Sequence, residues 1–201
     1  MVAVVEYGAG NIRSVLNALH ALGEEATMVS RAEDIGDADR VILPGVGAFG
    51  DCMRRLDERG FAEALPRLAG AGRPLLGICL GMQLLATRSF EHGEHAGLDL
   101  IAGEVRRIEP DGDARVPHIG WNAVDRRRPG GLLGDEEGEQ TFYFVHSFHL
   151  ETRDPAAVTG TTTHGGTLTA VVEQAHVGGC QFHPEKSQDD GLALLRRFLD
   201  T

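Results

Sequence analysis

Three side chains in this sequence have the types and spacing of a covalent catalyst. Cys79 stands in Pro74-Leu75-Leu76-Gly77-Ile78-Cys79-Leu80-Gly81-Met82-Gln83, and His183 and Glu185 lie two residues apart in Gln181-Phe182-His183-Pro184-Glu185-Lys186-Ser187. A thiol, an imidazole and a carboxylate supply a nucleophile, a general base and a group that fixes the tautomer of the base. The cysteine ends a short apolar run that reads as a buried strand, and the residues from Met82 to Leu85 read as a helix, so the sulfur is expected on a sharp strand-to-helix corner. Gly77 and Gly81 suit that corner because backbone passes close to backbone there. The start of the following helix favours a thiolate over a thiol. Pro184 stiffens the spacing between the histidine and the glutamate. Taken singly, Cys79 would be core filler and His183 an ordinary histidine; their company argues otherwise.

These groups meet only if the fold brings position 79 to positions 183 and 185. Residues 1–6 read as a strand, and Tyr7-Gly8-Ala9-Gly10-Asn11 as a turn, with Asn11 as N-cap, into a helix over Val15, Leu16, Ala18, Leu19 and Leu22 that Gly23 closes. Strands follow at 26–29 and 40–43, the latter running into the glycine-rich corner Pro44-Gly45-Val46-Gly47-Ala48-Phe49-Gly50-Asp51. A helix over 52–68 would present Met53, Leu56, Phe61 and Leu65. Strand and helix alternate up to Cys79, the pattern of an α/β fold with a mostly parallel, doubly wound central sheet, flanking helices, and functional loops at the C-terminal strand ends. That arrangement puts the 44–51 corner at the same sheet edge as Cys79. Beyond about residue 100 the texture changes to short strands at 104–108, 121–124, 142–148, 158–162, 167–173 and 177–182, an additional antiparallel strand region. Segments 126–131 and 134–138 read as surface turns. The last helix, 190–199, is led by Ser187 with Asp190 three residues on, a capping-box pattern. No repeat or linker divides the chain, so one domain over 1–201 is expected.

Composition narrows the function classes. The chain has 201 residues, 42% hydrophobic and 24% charged, the balance of an ordinary globular protein able to bury its own core. A formal charge of −11 argues against nucleic acid or an anionic membrane as partner, since both demand a basic face. No apolar run approaches the ~18 residues of a membrane span. The first residues lead directly into Val2-Ala3-Val4-Val5, without a basic leader, and a cytoplasmic location is expected. Three cysteines at unrelated spacings suggest neither a disulfide framework nor a metal site. Gly8 and Gly10 begin a dinucleotide fingerprint, but its third glycine would fall on Arg13, so no such cofactor is expected. Among 19 basic residues Lys186 is the one lysine.

The stretch from Gly77 to Gln83, with Phe182-His183-Pro184-Glu185, resembles the class I (triad) glutamine amidotransferases, whose fold is flavodoxin-like. The residues from Tyr7 to Ser14, the corner Pro44 to Gly50, Pro117-His118-Ile119-Gly120-Trp121-Asn122, Phe144-Val145-His146-Ser147 and Lys186-Ser187 are similar to the glutaminase subunits of imidazole glycerol phosphate synthases. The likeness runs from Tyr7 to the final helix. It implies that Cys79 attacks the side-chain amide of glutamine, that His183 protonates the departing ammonia and that Glu185 holds the imidazole. It further implies an oxyanion hole from the backbone N–H groups of Val46 and Leu80, and a glutamine pocket from Gly47, Gln83, Glu91 and the backbone around His146, Ser147 and Phe148. A phenylalanine at 148, where the family commonly has a hydroxylated aromatic, removes any contact made through that hydroxyl. No metal or cofactor is implied.

The resemblance also implies a partner, a (β/α)8-barrel cyclase subunit that takes the ammonia and makes imidazole glycerol phosphate and an aminoimidazole carboxamide ribotide in histidine biosynthesis. Asn11, Trp121 and Lys186 are the candidate partner contacts. Two other readings compete: a glutaminase for vitamin B6 or anthranilate synthesis, against which the 117–122 and 7–14 stretches speak, and a silent regulatory module, which would have lost Cys79, His183 or Glu185.

Overall fold

In the first strands successive side chains point to opposite faces of a sheet, and apolar residues occupy both sets. Val2, Val4, Ile42, Leu76 and Ile78 join one buried cluster, whereas Ala3, Val5, Val41, Leu43 and Leu75 join another. A sheet apolar on both faces must be covered on both. The computed structural model describes residues 1–135 and 137–201, leaving Glu136 of the 134–138 segment outside the described residues. Its elements are β1 (Val2–Val5), α1 (Ile12–Ala21), β2 (Ala26–Val29), β3 (Arg40–Gly45), α2 (Phe49–Glu58), α3 (Phe61–Gly70), β4 (Leu75–Cys79) and α4 (Leu80–Leu84). They continue with β5 (Ala86–Ser89), β6 (His95–Ala96), β7 (Ile101–Arg107), β8 (His118–Arg126), β9 (Gln140–His146), β10 (Phe148–Thr152), β11 (Val158–Thr163), β12 (Thr167–Gln174), β13 (Val177–Cys180) and α5 (Gln188–Leu199). Val15 and Leu19 of α1 and Leu194 and Phe198 of α5 cover one face, and Leu56 of α2 with Phe61 and Leu65 of α3 cover the other.

Among the described residues, nine strands form one sheet in the order β2-β1-β3-β4-β13-β12-β11-β8-β9. Strands β2, β1, β3, β4 and β13 run parallel, and β12, β11, β8 and β9 extend the sheet antiparallel. The register pairs Gly45 with Cys79 and Ile78 with Cys180. The glycine corner at the end of β3, the cysteine that ends β4 and the histidine after β13 therefore lie at one edge of the sheet, as the alternation of strand and helix predicts. A second sheet, β10-β7-β5-β6, stands beside it. No helix among the described residues is long and apolar enough to cross a membrane.

Several expectations are corrected. The helix over 52–68 is two helices, because Gly60 adopts φ +77°, a left-handed conformation that ends α2 and starts α3 at a new angle. The strand over 142–148 is two strands that break at Ser147 and enter different sheets. Strands β5 and β6 follow α4 where the sequence showed no strand signal. The capping box at α5 does not form. Ser187 Oγ donates to His183 O (2.6 Å) and accepts from Tyr143 N (3.0 Å), while Asp190 Oδ2 accepts from Thr141 N (2.8 Å). Ser187 ties β9 to the His183 segment and Asp190 ties it to α5, so β9 supplies the amides that the helix end would otherwise have offered. Asn11 does occupy the N-cap position of α1, but its side chain makes no capping bond.

Candidate active site

The corner that carries Cys79 is strained. Its φ of +56° and ψ of −112° are outside the ordinary regions for a residue with a Cβ, a conformation that persists only when the surroundings enforce it. Three glycines make the enforcement possible. A Cβ on Gly77 would lie 2.6 Å from Gly81 O, one on Gly81 would run into the Leu43 carbonyl, and one on Gly45 would sit 2.7 Å from Gly81 N and 2.8 Å from Tyr7 Oη. Helix α4, which follows the corner, is only five residues long.

The segment that follows β13 brings an imidazole to the sulfur. His183 Nδ1 meets Glu185 Oε1 at 2.8 Å, with the side chains 3% and 1% exposed. Burial opposes the charged imidazole, but the neighbouring Cys79 sulfur and the Glu185 carboxylate outweigh it and raise His183 to about 9. Nδ1 is committed to Glu185, which leaves Nε2, with no hydrogen-bond partner among the described residues, for the sulfur and for a substrate. Glu185 stands behind the imidazole rather than in the cavity wall.

Cys79 and His183 open on a cavity of about 560 Å3. Val46, Gly47, Leu80 and Glu91 line it, as do Gln83 and the run His146-Ser147-Phe148, so the fold brings together the residues assigned to the oxyanion hole and the pocket. Glu91 is held in place by Phe49 N–H at 2.7 Å, the first amide of α2, where negative charge is favoured. Gln83 reaches the wall, but its Nε2 is engaged inside the protein, donating to Phe148 O (2.9 Å) and Gln181 Oε1 (3.0 Å). Asn11, Trp121 and Lys186 lie outside the cavity. Trp121 is half exposed and packs edge to face on Tyr143, with Lys186 Nζ 5.9 Å from the same ring.

Sequence reasoning missed Gln181. It is fully buried and donates through Nε2 to Cys79 Sγ at 3.9 Å, a neutral donor that orients the sulfur without adding charge. Its place two residues before His183 was visible; that its side chain turns toward the nucleophile was not. Arg107, at the end of β7, also borders the cavity without having been singled out. Cys52 and Cys180 are set apart by burial, which pushes both thiols up. Among the described residues no cluster of three or more His, Cys, Asp or Glu is suited to a metal.

The model of the family described as glutamine amidotransferase class-I matches residues 3–201. The chain is 46% identical over 205 residues to the imidazole glycerol phosphate synthase subunit HisH 2 of Nitrobacter winogradskyi, covering 98% of this chain and 97% of that protein. It is 44% identical to the HisH subunit of Rhodopirellula baltica, over 98% of this chain and 96% of the other. In fold it is similar to a crystal structure of a glutamine amidotransferase, with a TM-score of 0.78 at 24% identity over 100% and 98% of the two chains. It also matches a PurLQS structure from Thermotoga maritima, with a TM-score of 0.77 at 20% identity over 99% of this chain and 97% of that one. A family model spanning all but the first two residues, and relatives above 40% identity along nearly their whole length, lead to one assignment: the chain belongs to the class I glutamine amidotransferases, where it groups with the imidazole glycerol phosphate synthase HisH subunits.

Proposed function

We propose that residues 1–201 act as one glutaminase domain that hydrolyses glutamine to glutamate and ammonia through a thioester on Cys79. The observation that carries this reading is the buried His183–Glu185 pair, 2.8 Å apart, whose imidazole opens with Cys79 on one cavity. With His183 raised to about 9, its imidazole holds a proton at neutral pH beside the Cys79 sulfur. The thiolate adds to the amide carbon of glutamine, and the oxygen that becomes negative is taken by the backbone N–H groups of Leu80 and Val46. Collapse of the tetrahedral species breaks the C–N bond, and the His183 proton leaves with the ammonia. Water, deprotonated by the now neutral His183, then attacks the thioester and frees glutamate. Each oxyanion donor lowers the barrier by about 3 kcal/mol.

The names of the relatives as imidazole glycerol phosphate synthase subunits support a further step, in which the ammonia passes to a (β/α)8-barrel cyclase and the assembly works as a lyase in histidine biosynthesis. The face for that partner surrounds the cavity mouth. Ile119 pairs across the strands with Val145, and Trp121 with Tyr143, placing exposed apolar side chains on one side of β8 and β9 beside Lys186. Asn11 joins this face at the start of α1, which packs against the turn 184–186. Gly47 adopts φ +102°, and glycines flank Val46 on both sides, so its N–H can be turned toward or away from the oxyanion at small cost. The test measures glutamate release with and without the cyclase and its ligand. A rise of two or more decades on assembly is expected, with weaker assembly for Lys186→Glu. Equal rates would refute the control by the partner, and no glutamate in either sample would refute the reaction.

A further inference from the structure

Behind the 146–148 wall of the cavity runs a chain of hydrogen bonds that the reaction does not use directly. Asn122 Nδ2 donates to Thr163 O (2.9 Å) and lies 3.1 Å from His118 Nε2; His118 Nδ1 is 2.9 Å from His146 Nε2; and His146 Nδ1 is 2.8 Å from Phe148 O. The two ends set the direction. A carbonyl only accepts, so His146 Nδ1 carries a hydrogen and its Nε2 accepts. Then His118 Nδ1 must donate and His118 Nε2 must accept, which requires an N–H from Asn122. Asn122 independently satisfies this, because its Oδ1 accepts from Ala123 N (2.9 Å) and its Nδ2 faces two acceptors. The chain closes only with both rings neutral and both in the Nδ1–H form. Burial lowers His118 to about 4 and His146 to about 3, with His164 stacked on His118 and His149 near His146 as further disfavouring charges.

The chain ends on backbone that faces the cavity. Phe148 O receives both His146 Nδ1–H and Gln83 Nε2–H, and Ser147 O receives Ile108 N–H (2.9 Å), so consecutive carbonyls of the wall are pinned from behind. We propose that His118, anchored by Asn122, is a positioning residue for the glutamine pocket: as a neutral donor it sets the tautomer with which His146 pins Phe148 O, and thereby holds the 146–148 wall in one conformation. This rests on the reading of the cavity as the glutamine site.

The test uses the full chain. Nitrogen-15 spectra of labelled histidines at pH 7 are expected to show His118 and His146 neutral and protonated on Nδ1; a charged His118, or one protonated on Nε2, overturns the proposal whatever the cavity binds. Glutamine protection of Cys79 against iodoacetamide, read at the Cys79 peptide by mass spectrometry, tests the consequence. His118→Phe keeps a ring against Phe144 and His164 but has no donor. The glutamine concentration for half protection should rise about tenfold, while alkylation without glutamine stays within about twofold, since the thiol itself is untouched. His118→Asn is smaller, but its amide hydrogens stand where Nδ1–H stood, and it should recover most of the protection and the Nδ1–H form of His146. A ring needed only for packing gives the opposite order, Phe better than Asn, and overturns the proposal. If His118→Phe fails to fold, the asparagine variant decides alone: wild-type protection supports the proposal, and lost protection overturns it. Glutamine that fails to protect even the wild type removes the pocket reading and this inference together. Protection that neither variant alters removes this inference only.

Discussion

At the scale of single residues, the candidate site is an arrangement of charge in a place that resists charge. His183 is almost fully buried yet raised to about 9, because the sulfur and the Glu185 carboxylate repay its desolvation. Glu185→Gln keeps the shape and removes the charge that faces Nδ1. Glutamate release by the assembled enzyme should fall by about two to four decades, and the alkaline limb of its pH profile should move below 9, both read from rates across pH 6 to 10. A limb that stays in place would show that Cys79 alone holds the imidazolium. Phe148 illustrates the same scale from the other side. Losing a hydroxyl costs the site nothing that the backbone supplies, since Phe148 contributes its carbonyl to Gln83 and His146.

At the scale of elements, clearance around glycine decides. Gly81 has the Leu43 carbonyl where a Cβ would go, whereas Gly70, the last residue of α3, has nothing within 4 Å. One substitution should therefore act with opposite sign at the two positions. Gly81→Ala should cost more than about 3 kcal/mol, as backbone in the β3–β4 corner is forced apart, and Gly70→Ala should add about 0.5 kcal/mol by removing freedom from the unfolded chain. Urea midpoints measure both; two losses of equal size would refute the clearance argument. The corner glycines were legible in the sequence because they bracket Cys79. The break at Gly60 was not, since a glycine inside an apolar periodic stretch is read as tolerated until its φ is known. Ser187 and Asp190 misled for a related reason: a capping pattern is local, and β9 offered their oxygens partners that only the fold brings near.

For the whole molecule, the histidines set opposing pH dependences. His183 has a folded value of about 9 against an ordinary 6.5, so its contribution to stability is complete below pH 6.5 and lost as pH rises through about 9. His118 and His146, lowered to about 4 and about 3, do the reverse: the unfolded chain takes up their protons first, so their contribution is present above 6.5 and is lost as pH falls toward 4 and 3. Stability by urea denaturation should be greatest near pH 6.5 to 7 and lower at both pH 4.5 and pH 9.5. A midpoint that climbs steadily from pH 4.5 to 9.5 would refute the contribution of His183.

By itself the sequence determined the reactive types and their local geometry: a cysteine between glycines that permit a strained corner, a histidine and a glutamate held two apart by proline, and strands and helices in an order that sends corners to one sheet edge. Those are properties of neighbours in the chain, and local sterics suffice to read them. Only the tertiary structure decided which of nine histidines matter and in what state. His118, His146 and Gln181 owe their roles to the register of β8 on β9 and of β13 on β4, which brings side chains distant in sequence within hydrogen-bond reach and shuts out water. Burial and partners set protonation, and both come into being when the strands pair.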